Sequence, residues 1–159
     1  MILGMPTFTF VHVLISVIGI GSGLIALYGM LTSDRMDTMT AVFLLFTALT
    51  TITGFFFPFH AVTPAFILGI ISAVVLILTL LVRYAYGMAG LRRPVYVIGA
   101  VAALYFNCFV FVVQAFQKIG PLHMLAPNGS EPPFAMVQGL VLLFFIVTGF
   151  LAVRRFHPR

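Results

Sequence analysis

The sequence predicts an all-α integral membrane protein, a single domain built as a bundle of five transmembrane helices. Three observations predict it. Hydrophobic residues make up 62% of the chain and charged residues only 7%, with a mean hydropathy of +1.22; soluble domains run at about 45–50% apolar and roughly 25% charged. The apolar residues come in runs long enough to cross a bilayer, which takes about 20 residues as a helix. Clusters of proline, glycine and charged residues separate those runs. Lipid offers backbone groups no other partner, so each run must be helical.

Taken in order, span one covers Phe8–Leu31 and is ended by the polar stretch TSDRMDT. It lacks a basic region ahead of it, and its apolar stretch exceeds the roughly 7–15 residues of a signal peptide's core, so it is expected to be retained. Within it, GIGSG holds Gly19-x-x-x-Gly23, a surface for close helix packing inside the bundle or for self-association. Span two is Thr40–Phe57, stopped by Pro58. Span three is Pro64–Tyr86, with Thr63 as N-cap and Pro64 at the first helical position, where its missing N–H is not needed. GMAGLRR separates it from span four, Pro94–Gln117. Span five is Phe134–Val153, entered through SEPPF, where Ser130 can cap and both prolines suit a first turn.

Orientation follows from the basic residues. With five spans, Arg35, Arg83, Arg92, Arg93, Arg154, Arg155 and Arg159 fall on one side and Lys118 alone on the other. The positive-inside rule makes the arginine side cytoplasmic, so the N-terminus lies outside and the C-terminus inside, as expected of a multi-pass protein of a bacterial inner membrane. Tyr28, Tyr84, Tyr86 and Tyr96 sit near the cytoplasmic ends, as an interfacial belt would. The sequence pI of about 10.0 does not point to nucleic acid, because the basic residues mark helix ends rather than forming a stripe interleaved with aromatics. The single cysteine, Cys108, lies in an apolar run and excludes a disulfide framework.

No charged residue is expected deep in a span, which argues against an ion-coupled pump. Neutral polarity gathers instead toward the outward half. Span two carries Thr47, Thr50, Thr51 and Thr53; span four carries Asn107, Gln114 and Gln117, with Lys118 at its end. Asn107, Gln114 and Lys118 share a helix face, and Gln138 and His12 lie just inside the outward ends of spans five and one. The bland reading is interhelical hydrogen bonding and interfacial anchoring. Glu131 likewise reads as favouring the positive end of helix five. The sharper reading is an outward-facing polar pocket formed by His12, His60, Gln114, Lys118, His123 and Gln138. Imidazoles there could bond a quinone or ligate haem iron or a metal. No two histidines have a short zinc-ligand spacing, so no metal site is assigned. PFHAVTP and PLHMLAP share the pattern P-x-H-x-x-x-P, a faint sign of an internal repeat.

TGFFFPFHAVTPAF, ALYFNCFVFVVQAFQKI and LAPNGSEPPF followed by a glutamine together resemble a family of small, uncharacterised bacterial inner-membrane proteins. The resemblance implies a bacterial source and a helical membrane fold, and it transfers no catalytic residues. Three functional classes stay open. The favoured one is a non-enzymatic accessory or binding module whose partners are membrane lipids, another membrane protein or a second copy. A redox-linked protein holding quinone, haem or a metal through the outward histidines is the alternative, and a small channel or transporter is the third. No Ser-His-Asp arrangement, phosphate loop or carboxylate pair is present in the sequence.

Overall fold

The computed structural model describes residue 2 and residues 4–58 and 60–158. Its helices are α1 (Thr7–Thr32), α2 (Asp37–Gly54), α3 (Pro64–Leu80), α4 (Arg92–Lys118), the short α5 (Gly120–Leu125) and α6 (Pro132–Arg155); a π-helical turn, Leu81–Ala85, extends α3. Counting α3 and its π turn as one, five helices are long and apolar enough to cross a membrane. The chain is a multi-pass helical bundle. The start of α3 follows the expected chemistry, with the Thr63 hydroxyl accepting the Phe66 N–H at 3.2 Å and Pro64 opening the helix.

Several local features differ from expectation. Helix α2 begins at Asp37 rather than Thr40 and ends at Gly54 rather than Phe57. The link before it is tight: Ser33 and Met36 both adopt left-handed backbone, at φ 62° and 40°. Asp34 holds this link, donating its N–H to Gly29 O (2.8 Å) and accepting the Met36 N–H on its carboxylate (3.1 Å). Glu131, not Ser130, occupies the N-cap position of α6. The connection between α4 and α6 contains a helix, α5, where the sequence pattern predicts only loop. The P-x-H-x-x-x-P echo does not extend to the backbone, because the described residues of its first copy are non-helical until Pro64 opens α3, whereas most of its second copy lies within α5.

Helix α4 is the hub, packing against α1, α2, α3 and α6, while α1 also packs on α2 and α6. The crossings rely on small residues, as close approach between membrane helices requires. A Cβ on Gly19 would rest in ordinary contact with the Phe46 Cβ (3.5 Å) and the Phe46–Thr47 backbone (3.6 Å) of α2. One on Gly23 would meet Leu104 at 2.6 Å and the Phe43 ring at 2.8 Å. Gly99 of α4 lies directly over the Thr79 side chain of α3. The core these contacts create sits in the arginine-end half of every long helix. It includes Leu27, Met30, Phe43, Leu44, Leu76, Val97, Leu104, Phe145 and Phe156. Toward the other end, bulkier α4 side chains such as Tyr105, Phe106 and Phe109 replace Gly99, Ala100 and Ala103, and they are only half-buried.

Candidate functional site

At the end opposite the arginines, His12 is the one histidine drawn into the bundle. Its Nδ1 lies 2.7 Å from Thr53 Oγ1, and its ring stands edge-on to Phe57. The Thr53 hydroxyl already donates to the Leu49 carbonyl (2.7 Å), so in that bond it can only accept. His12 is therefore assigned the Nδ1–H tautomer, with Nε2 left as an acceptor.

The other residues of the expected pocket do not join it by hydrogen bonds. His60, Gln114, Lys118 and His123 are exposed. Gln138 is buried, but its amide donates to the Phe109 carbonyl of α4 (3.1 Å), tying α6 to the hub; its Oε1 has no partner among the described residues. Asn107 points across to Thr47 of α2 (3.1 Å), again as interhelical glue. Among the described residues, no three His, Cys, Asp or Glu side chains stand close enough to hold a metal ion.

The more organised polar cluster lies at the arginine end. The π turn carries Arg83, expected to be a topology-setting residue at the interface, into the bundle, where its side chain is 2% exposed. Its Nη2 pairs with Asp37 at the first turn of α2. Its Nη1 donates to the Tyr96 hydroxyl of α4 at 3.0 Å. The Tyr96 ring also lies beneath the guanidinium, which is 5.2 Å from the ring centroid. Tyr96 is fully buried, which corrects its place in the expected belt; Tyr28, Tyr84 and Tyr86 are exposed as a belt requires. The enclosed Arg83 Nε has no acceptor among the described residues. Nearby, Arg93 donates to the Phe156 carbonyl (2.9 Å) and the His157 N–H to Ser33 Oγ (2.9 Å), stitching the tail to this end.

Beside the Arg83 cluster an open recess of about 660 Å³ lies between α2 and the end of α3. Arg35, Asp37, Thr38, Arg83 and Tyr84 line its polar part, and Ala41, Val42 and Leu45 its apolar bed. Asp37 is shared, since Arg35 Nε also approaches the same carboxylate oxygen, at 3.3 Å. Sequence reasoning misses this site because a lone arginine at a helix end reads as snorkelling. The available signal was an acid, Asp37, at the matching end of the neighbouring span.

Comparison with known proteins finds no matching family model, curated protein or solved structure. The site must therefore be read from its own chemistry.

Proposed function

We propose that this chain is a non-enzymatic module of a bacterial inner membrane, with its N-terminus outside and its arginine end cytoplasmic, that holds an amphiphile from the bilayer at its side. The resemblance to small bacterial inner-membrane proteins and the asymmetry of the basic residues support the setting. The observation that carries the function is the arginine-end recess, whose volume of about 660 Å³ falls within the range of ligand sites, about 300–1,000 Å³. Its lining changes from charged and hydroxylated residues to an apolar bed along α2, the same order in which a lipid changes from headgroup to chain. The distance from Asp37 to Leu45 is about 12 Å along the helix, enough to run from the headgroup region into the hydrocarbon. The outward-facing pocket expected from the sequence is set aside in favour of this recess, because His60, Gln114, Lys118 and His123 are exposed and make no hydrogen bond to His12.

Native mass spectrometry of the protein released from mild detergent tests the reading. A retained lipid mass is expected on the wild type and should vanish in Ala41→Phe, which fills the bed at an exposed position. A wild type that emerges bare, or an adduct that Ala41→Phe leaves intact, would sink it.

A further inference from the structure

We infer that the recess is selective for the headgroup it takes, binding the phosphate of an anionic phospholipid; this rests on the amphiphile reading above. The selectivity comes from charge. Arg83 and Asp37 form a pair, so together they add no net charge to the recess. Arg35 is then left as the uncompensated cation at its mouth, its side chain 47% exposed and held only by a long contact to the same carboxylate.

Two further features favour an anion. The first turn of α2 has no side-chain cap: Met36 occupies the N-cap position in left-handed backbone, and although its carbonyl accepts the Thr40 N–H (2.9 Å), no side-chain hydrogen bond caps the turn. Independently, the Arg83 side chain lines the recess while its Nε, buried and unpartnered among the described residues, lacks an acceptor. An unpaired buried donor is costly, and a phosphate held at the recess by the exposed Arg35 offsets that cost through its field, since the Nε itself is enclosed. Thr38 adds a hydroxyl, and the exposed Tyr84 an amphipathic ring at headgroup depth. One acyl chain lies along Ala41, Val42 and Leu45. Basic recesses between membrane helices on the cytoplasmic side are suited to anionic headgroups.

The test offers the protein phosphatidylglycerol and phosphatidylcholine with identical chains and counts bound copies by native mass spectrometry. The wild type should prefer phosphatidylglycerol about fivefold, the effect of roughly one basic side chain at a membrane surface. Arg35→Gln should remove that preference while keeping a bound lipid. Arg155→Gln, at an exposed arginine of the same end that does not line the recess, should keep it. Equal binding of both lipids, abolished by Ala41→Phe, would leave the amphiphile reading standing and overturn the headgroup inference. A preference lost equally in Arg155→Gln would reduce it to diffuse surface charge and overturn it too. If Ala41→Phe changed neither lipid count, or split a wild-type dimer instead, both readings would fall.

Discussion

Arg83 shows how much one buried guanidinium demands of its neighbours. Removing one partner of a buried pair strands the other charge, whereas replacing the charge itself by an apolar side chain is far cheaper. Asp37 is 65% exposed, so the full penalty for a buried pair is reduced by solvent. Asp37→Ala should cost about 2–3 kcal/mol. Arg83→Met should cost about 1 kcal/mol, chiefly the loss of the donor to the buried Tyr96 hydroxyl. In the double variant the Asp37 effect should disappear. Thermal unfolding in mild detergent checks the order; a harmless Asp37→Ala beside a crippling Arg83→Met would contradict the pairing. Glu131 offers a second residue-scale check, outside the spans. The Asn128 N–H donated to its Oε1 (3.0 Å), reinforced by the Ser130 N–H on Oε2 (3.0 Å), holds its carboxyl below the ordinary value. A depressed carboxyl pKa stabilises the turn above the ordinary value and loses that contribution as pH falls through the lower, folded value. The Asn128 and Ser130 amide signals should therefore titrate with a midpoint below the ordinary glutamate value. A midpoint at or above that value would mean the turn does not form. His12, Asn107 and Gln138 were legible as polar residues inside spans, but not the partners they chose. Thr53, Thr47 and the Phe109 carbonyl lie on other helices, and only packing brings them together.

At the scale of single helices, the sequence is informative wherever lipid chemistry leaves the backbone no alternative. The five spans, the Thr63–Pro64 start and the Gly19–Gly23 surface all follow from that constraint. The π turn does not, because an extra residue in one turn changes no hydropathy. It does rotate the side chains beyond it by about 100° relative to a regular helix. Arg83 lies within this turn and faces the bundle. Helix α5 was hidden because its sequence, GPLHML, is too short to show a period. The two packing glycines make separable predictions. Gly19→Ala should be tolerated, since its new methyl meets only ordinary contacts at 3.5–3.6 Å. Gly23→Ala should destabilise the protein by about 1–3 kcal/mol, because Phe43 and Leu104 are both buried and cannot move aside freely. Denaturation of the two variants in mixed detergent micelles measures the difference. Equal stability would show that α1 does not pack against Phe43 and Leu104 as described.

Across the whole molecule, the tight half of the bundle is the arginine half, where small residues on α4 let four helices close around it. The same end carries the Arg83 cluster, the tail contacts and the recess, so stability and the proposed binding share one face of the membrane. The proposed function depends above all on that face being cytoplasmic, reached by a chain that crosses the membrane five times. Alkaline phosphatase, which is active only outside the cytoplasm, reads this out when fused after Asn128 and after Arg159. The Asn128 fusion should be active and the Arg159 fusion inactive. Activity after Arg159, or the same behaviour at both sites, would contradict the topology and the cytoplasmic placement of the recess.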